Sequence, residues 1–308
     1  MELPLLDADA VLGALSFVEA VDALERALVG GLDPAAAVDR SIVDVAHGQL
    51  LLMPAETATA TGVKLATVSP GNAAHGLPRI QALYILLDRT TLRPLALLDG
   101  TALTTLRTPA VSAVAVRHLA DPDASRLVVF GSGPQAWGHV EAVRAVRPLE
   151  SVVVVGRDRS RAEALVGRVA GSGLHAEVGA ADSVGKADVV VCATTAAEPL
   201  FDSALLPPGA CVVAVGSHEP DRRELDSALV ARAAVEGGLV VESAATALRE
   251  AGDVVVAVDE GVLDPAVLLD LAAVVRRERR PGLSVFKSVG MGWQDLVVAE
   301  AVLDRWRG

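Results

Sequence analysis

Cysteine is almost missing from this chain. The two present, Cys192 and Cys211, each sit inside a valine-rich run. They offer neither a disulfide framework nor a metal-ligand spacing, and read as buried thiols in strands. Lysine is nearly as scarce. Of 27 basic residues only Lys64, Lys186 and Lys287 are lysine. A coding bias toward arginine produces such a ratio, and a lysine retained against it hints that arginine would not serve there. No apolar run approaches the roughly 18 residues of a membrane span. The richest stretch, Leu205 to Gly216, is broken by Pro207, Pro208 and Gly209. The opening Met1-Glu2-Leu3-Pro4 lacks the basic patch of a signal peptide. Positive charge is in deficit too: 27 − 39 gives −12, which disfavours phosphate backbones and hence nucleic acid. A cytoplasmic protein without membrane, nucleic-acid or metal partners is expected.

What remains is ample core material. Hydrophobic residues make up 52% of 308 and charged residues 21%, which excludes general disorder. At roughly 150 residues per domain the length suggests two domains. The pattern over Ala8 to Val29 predicts a helix, with Asp7 as its cap and Gly30-Gly31 as its end. Short β-type runs follow at Ser41–Val45, Gln49–Met53, Gly62–Val68, Gln81–Asp88 and Pro94–Asp99, separated by turn residues. One strand after another implies a largely antiparallel sheet. Thr108-Pro109 has the cap-then-proline form of a helix start, running to about Leu119. Beyond Asp121-Pro122-Asp123, apolar runs at Leu127–Phe130, Val152–Val155, Val189–Ala193, Cys211–Val215 and Leu239–Glu242 alternate with helical stretches. Short, nearly all-apolar strands between helices imply a parallel sheet covered on both faces.

The first of these runs leads into Gly131-Ser132-Gly133-Pro134-Gln135-Ala136, the G-x-G-x-x-A form of a Rossmann turn. Gly131 makes the tight turn, Gly133 lets a pyrophosphate approach the backbone, and Ala136 lets the helix sit close to the strand. That helix, about Gln135 to Val146, aims its N-terminus at the phosphates. Strand, turn, helix and second strand fall in order, so a nicotinamide dinucleotide is expected. At the tip of the second strand an NAD enzyme places a carboxylate. Here Gly156 is followed by Arg157-Asp158-Arg159-Ser160. Arg157, with Arg159 and Ser160, suits a 2′-phosphate through charge-assisted hydrogen bonds. Asp158 fits either a ribose contact or repulsion of that phosphate. NADPH is the expected cofactor, with NADH possible.

Three cations in the first part have suggestive settings. Arg40 precedes the strand Ser41–Val45, and Arg107 precedes Thr108-Pro109. Lys64 alternates away from Val63 and Leu65 onto the other face of its strand.

With these residues in view, the chain resembles the ornithine cyclodeaminase and mu-crystallin family over nearly its whole length. The motifs are Leu52-Met53-Pro54-Ala55, Gly62-Val63-Lys64-Leu65, Leu98-Asp99-Gly100, and Leu103 through Arg107-Thr108-Pro109 to Ser112-Ala113. They continue with the Gly131–Ala136 turn, Val215 to Leu225, Ala251-Gly252-Asp253-Val254, Phe286 to Gly290, and Asp295. The resemblance implies a homodimer whose N-terminal domain supplies the dimer contact and half of the active site, with the final helix returning to that domain. It implies that Arg40, Lys64 and Arg107 are the carboxylate-binding and catalytic cations. Thr108 and Ser112 look like part of the dinucleotide phosphate site, and Phe286-Lys287-Ser288-Val289-Gly290 like the segment beside the nicotinamide. An arginine fork suits a carboxylate, and a crowded, desolvated lysine can exchange a proton near neutral pH.

One departure bears on the reaction. In the cyclodeaminase branch, the segment after Val215-Gly216 carries an aspartate for the substrate's side-chain amino group. Here His218 stands there, either as a proton-active pocket residue or as a loop histidine without a chemical role. Pro220 to Asp226, Glu198-Pro199-Leu200 and Leu303-Asp304-Arg305-Trp306 are similar to the mu-crystallin branch, associated with NAD(P)H-dependent reduction of cyclic ketimines. The expected fold is α/β: a Rossmann NAD(P)-binding domain over 119–292, and an α+β substrate-binding and dimerisation domain over 1–118 with 293–308. The expected activity is reduction of small cyclic 2-carboxylate imines. Rivals are an ornithine or lysine cyclodeaminase, an alanine-type amino-acid dehydrogenase, and a non-enzymatic ligand carrier.

Overall fold

Ser16 splits the first predicted helix in two. The structure, a computed structural model describing residues 3–277 and 280–308, has α1 at Ala8–Ala14 and α2 at Phe17–Val29. Ser16 Oγ accepts the N–H of Glu19, and the Glu19 carboxylate accepts the N–H of Ser16 at 2.9 Å. This reciprocal capping box satisfies two helix-end donors at once, and it outweighs continuation of the apolar pattern.

The chain divides into one unit formed by Met1–Thr108 with Met291–Gly308 and another formed by Pro109–Gly290. The first contains a six-stranded sheet of β1 (Leu5–Leu6), β2 (Ser41–Val45), β3 (Gly48–Glu56), β4 (Ala60–Val68), β5 (Ile80–Asp88) and β6 (Pro94–Asp99), in the order β1-β6-β5-β4-β3-β2. All neighbours are antiparallel except β1 on β6. On β4 Gly62, Lys64 and Ala66 are buried while their neighbours are half-buried. The buried side lies under the C-terminal helix, Gly292–Arg307, which packs on β3, β4 and α2. Among the described residues of the unit, no such helix covers the opposite side of the sheet.

A second correction concerns the helix expected to start at Thr108. It begins eight residues earlier, as α3 (Gly100–Leu119), with Pro109 inside it. Asp99 Oδ1 accepts the N–H of Ala102 at 2.8 Å, so Asp99 is the cap. An interior proline removes one helix hydrogen bond. Burial of every residue from Pro109 to Val116 compensates for it. The division between units falls inside this helix, not at its end.

The second unit is a parallel sheet. Its elements in chain order are β7 (Arg126–Phe130), α4 (Pro134–Arg144), β8 (Ser151–Val155), α5 (Arg159–Gly171), β9 (His175–Val178), β10 (Val189–Cys192), β11 (Cys211–Ala214), α6 (Ser227–Val235), β12 (Gly238–Val241), α7 (Ala244–Glu250), α8 (Gly252–Asp259), β13 (Leu269–Asp270), α9 (Leu271–Val274) and β14 (Ser284–Lys287). The C-terminal helix is α10. The eight strands run in the order β13-β12-β14-β11-β10-β7-β8-β9, every pair parallel. Strands β10, β11 and β12 are buried throughout, as all-apolar runs between two helical layers require, and β14 is equally buried although it carries Ser284 and Lys287. Strand order reverses between β7 and β10, so the crevice at their carboxyl ends is where this architecture binds a ligand. Both cysteines are buried in strands. The fold class is the α/β arrangement expected, with β1, β9, β13 and β14 added to the strands read from the sequence. No helix among the described residues is long and apolar enough to cross a membrane.

Candidate active site

In the first unit, β4 turns Lys64 to the buried face, where its side chain has almost no exposure. Its Nζ donates to both oxygens of Asp295, at 3.0 and 2.8 Å, and lies 3.3 Å from Thr104 Oγ1. Arg107, on α3, donates through Nε to Asp295 Oδ1 at 3.2 Å and through NH1 to Gln294 Oε1 at 2.7 Å. Asp295, fully buried in the first turn of α10, thus receives both cations, and that helix end favours an anion. Arg40, half-buried just before β2, is close enough to act on Lys64 electrostatically. Burial pushes the Lys64 pKa down to about 8. Asp295 opposes that shift, and Arg107 and Arg40 add to it. Tyr84 on β5 is the cross-strand partner of Lys64. Burial, then Asp295 and Glu300, hold its phenol well above the ordinary value, so it stays neutral.

In the second unit, Gly131 sits at the strand-order reversal with φ +116°, and a Cβ there would meet the Ala193 carbonyl oxygen at 2.5 Å. Only glycine takes that conformation without strain in this space. Gly133 is the N-cap of α4, has open space where a Cβ would be, and supplies no side-chain cap. The first N–H groups of α4 therefore face outward without a side-chain acceptor, the arrangement that receives a pyrophosphate. Ala136 is fully buried, and Ser132 and Gln135 flank the turn half-buried. These residues fit a dinucleotide.

Ser112 is fully buried and bonds to His139 Nε2 at 2.9 Å, while His139 Nδ1 lies 2.7 Å from the Gln135 carbonyl. Burial pushes the His139 pKa down to about 4, so the ring is neutral. The carbonyl can only accept, which places the ring proton on Nδ1 and makes Nε2 the acceptor of the Ser112 hydroxyl. Ser112 thus braces the first turn of α4. Thr108, four residues earlier on α3, is buried.

At the tip of β8, Arg157 and Ser160 are exposed. Asp158 caps α5 by accepting the N–H of Arg161 at 3.1 Å, and Arg159 pairs with Glu163 at 2.8 Å.

The segment after β14 is held by carboxylates that sequence reasoning missed. Glu242, buried, accepts from Ser288 Oγ at 2.7 Å, from the Val289 N–H at 2.9 Å and from the Gly290 N–H. Lys287 is fully buried. Its Nζ donates to the Ser217 carbonyl at 2.6 Å and pairs with Asp253 at 2.8 Å. Asp253 also accepts the N–H groups of Glu224 and Leu225, and Glu224 in turn accepts from Thr194 and Gly216. Burial raises the Glu224 pKa, with Lys287 opposing. The Lys287 ammonium is therefore engaged with protein groups, and it fixes the loop that carries exposed His218. Within their units, the structure brings Lys64, Arg107 and Arg40 together, and gathers Gly131 to Ala136 with Ser112.

A model of the ornithine cyclodeaminase/mu-crystallin family matches residues 5–308. Over 266 residues the chain is 37% identical to a Δ1-pyrroline-2-carboxylate reductase of Bacillus cereus, covering 83% of this chain and 81% of that one. It is 35% identical over 271 residues to the ketimine reductase mu-crystallin of Rattus norvegicus, covering 87% and 84%. The structure of the Thermococcus litoralis Δ1-pyrroline-2-carboxylate reductase in complex with NADH and L-proline is similar with a TM-score of 0.90 at 31% identity, over 98% of this chain and 97% of that one. The chain belongs to the ornithine cyclodeaminase/mu-crystallin family.

Proposed function

We propose that this protein is an NAD(P)H-dependent reductase of small cyclic 2-carboxylate imines such as pyrroline- or piperideine-2-carboxylate. The observation that carries the reading is the buried pairing of Lys64 and Arg107 on the carboxylate of Asp295, with half-buried Arg40 acting on Lys64 electrostatically. Two cations ending on one carboxylate, with Arg40 acting on Lys64 from nearby, suit an anionic substrate in a chain of net charge −12. Arg40 and Arg107 anchor the carboxylate. In Arg107 the Nε and one NH1 hydrogen are engaged inside the unit, which leaves the NH2 edge of the fork for the ligand. Lys64, with a pKa of about 8, is protonated at neutral pH and close enough to its pKa to give up a proton to the imine nitrogen. The Gly131–Ala136 turn, with Thr108 and Ser112, holds the dinucleotide phosphates, and Ser288 to Gly290 shape the nicotinamide end. When bound, the reduced dinucleotide supplies the hydride for the imine carbon.

Arg157 supports a preference for NADPH, and so does the use of Asp158 as a helix cap in place of a free ribose-binding carboxylate. His218, standing where a cyclodeaminase would carry an aspartate, gives a second substrate ammonium no counter-charge, and an unpaired desolvated charge costs several kcal/mol. The relatives named as reductases support the same reaction class. The uncovered side of the first sheet, with Leu52, Val63, Leu65, Leu83, Ile85 and Leu97 in adjoining rows, supports a homodimer. Two buried free thiols suit a reducing cytoplasm.

The test is oxidation of NADPH and NADH with both imines, run beside ammonia release from L-ornithine with NAD⁺ and oxidation of L-alanine. Imine-dependent oxidation is expected. Ammonia release alone, alanine oxidation alone, or silence throughout would replace this reading by the cyclodeaminase, the dehydrogenase or the carrier.

A further inference from the structure

Lys64 and Arg107 reach the buried face of the sheet from different elements, β4 and α3, yet both end on one carboxylate from the far end of the chain. We propose that Asp295 is the positioning residue of this site: it keeps Lys64 charged as the proton donor and fixes the edge of Arg107 presented to the substrate carboxylate. The proposal rests on the reductase reading for its chemistry, but its geometry is independent of it.

The groups that face the Lys64 ammonium are few. Asp295 comes from α10, Arg107 and the Thr104 hydroxyl from α3, Arg40 from the segment before β2, and neutral Tyr84 from β5, with Glu300 acting on Tyr84 from α10. Asp295 is the carboxylate among the strongest influences on Lys64, and it touches the ammonium with both oxygens. Burial, Arg107 and Arg40 all favour the neutral amine; Asp295 alone by its charge favours the ammonium. Replacing that carboxylate by an amide removes the counter-charge and keeps the shape, so the Lys64 pKa falls from about 8, by about one to three pH units. The lysine is then largely uncharged at neutral pH. In the reaction, the imine carbon receives a hydride from the reduced dinucleotide, and a new N–H bond forms at the imine nitrogen. The Nζ–H bond of Lys64 breaks, and the neutral amine left behind regains its proton from solvent. A lysine that is already neutral has no proton to give. The same substitution frees the Nε side of Arg107, whose remaining tie is to Gln294, so alignment of the substrate carboxylate suffers as well.

Sign and direction follow. Protonated Lys64 exists below its pKa, so kcat/KM is held on the acid side and lost as pH rises through about 8 in the natural chain. In Asp295→Asn the loss sets in at lower pH, and KM for the imine rises about tenfold. A direct readout needs no turnover. The chain has three lysines, so selective 15N labelling of Nζ yields three ammonium signals, and Lys64→Met identifies the one that matters. The experiment titrates that signal in the natural chain and in Asp295→Asn, beside pH profiles of kcat/KM. A titration that moves down together with the pH limb supports the proposal. A Lys64 titration within a few tenths of a unit of the natural one overturns it. If Asp295→Asn does not fold, Asp295→Glu is read in its place. It keeps the charge but shifts its position, so a near-natural titration with a raised KM is expected, and an unchanged KM overturns the proposal. Should the natural chain reduce no imine, the reductase reading fails, while the titration still decides the role of Asp295.

Discussion

His139 accepts the hydroxyl proton of Ser112 on Nε2, 2.9 Å away, and it does so as a fully buried neutral ring. This has a consequence for stability against pH. The folded-state pKa of about 4 lies below the ordinary value near 6.5. Above 6.5 the ring is neutral in both states and its contribution is fully present. As pH falls from there through about 4, the unfolded chain binds a proton that the folded chain refuses, and stability declines. The full difference is about 3 kcal/mol. We expect the melting temperature to fall across this window, and to fall less in His139→Gln. Equal acid sensitivity of the two proteins would show that another group governs the decline.

Arg147 carries a second buried structural task. Its NH2 donates to the carbonyls of Val116, Arg117 and Ala120, at 2.9, 2.8 and 3.0 Å, closing the C-terminal end of α3, where a cation is favoured. Arg147→Met keeps the stem and removes the donors. It is expected to cost about 2–4 kcal/mol, read as a lower denaturation midpoint in urea, with little change in imine KM at temperatures where the variant stays folded. An unchanged midpoint would mean that water replaces the guanidinium at no cost.

These cases show where the sequence was legible and where it was not. The glycine turn, the apolar parallel strands and the three first-domain cations could be read because each depends on local pattern. Asp295 was visible as a motif residue, yet its partner Lys64 lies 231 positions away, and no periodicity encodes such a pairing. The helix start at Asp99 was hidden because Asp99-Gly100 also reads as a turn and Thr108-Pro109 imitates a cap. The break at Ser16 was hidden because apolar spacing continues across it and only the Ser16–Glu19 pair marks the end. The resemblance implies that Lys287 belongs to the segment beside the nicotinamide. Its pairing with Asp253 depends on the first turn of α8 meeting the end of β14, which no local pattern encodes.

The cation cluster makes a strict demand on residue type. Lys64→Ala removes the titrating amine and leaves Asp295 facing Arg107 alone. Arg107→Lys keeps the charge but loses the planar fork that serves Asp295 and Gln294 and that the proposed reading assigns to the substrate carboxylate. We expect each to lower kcat/KM at least about a hundredfold. The falls should differ in kind, in kcat for Lys64 and mainly in KM for Arg107. Steady-state kinetics with circular dichroism as the control for folding distinguish this from general damage. Near-normal kcat/KM in either variant places that residue outside the site.

We expect cofactor choice to rest on one exposed side chain. Arg157 follows Gly156 at the tip of β8, and Asp158 beside it is engaged at the start of α5. A charge-assisted contact to a 2′-phosphate is worth about 1.5–3 kcal/mol, roughly ten- to a hundredfold in affinity. Arg157→Ala is therefore expected to raise KM for NADPH by that factor and leave NADH nearly unchanged. Titration of dinucleotide binding by protein fluorescence gives the same ratio without turnover. A ratio that does not move would shift the phosphate contact to Arg159 or Ser160.

The last expectation concerns the uncovered side of the first sheet. Leu52, Leu65 and Leu83 form one cross-strand row, and Val63, Ile85 and Leu97 the next. Leu52 is 39% exposed and the others are half-buried, so six large aliphatic side chains share one face without a covering helix. A continuous apolar face of this kind marks an association surface. Its two-sided, alternating pattern, with Lys64 and Tyr84 on the buried face and these residues on the other, is what a sheet packing on a second sheet requires. A second copy is the partner most simply matched to it, because a two-fold axis sets the same rows against each other. Leu65 lies at the middle of the patch. Leu65→Arg places one charge from each copy there, without a counter-charge and out of water, which costs several kcal/mol. The natural chain is expected to run as a dimer in sedimentation velocity at micromolar concentration. Leu65→Arg should run at half that mass while its far-ultraviolet circular dichroism stays unchanged. A natural chain that is monomeric under these conditions, or a Leu65→Arg variant that remains dimeric, would move the interface to another surface.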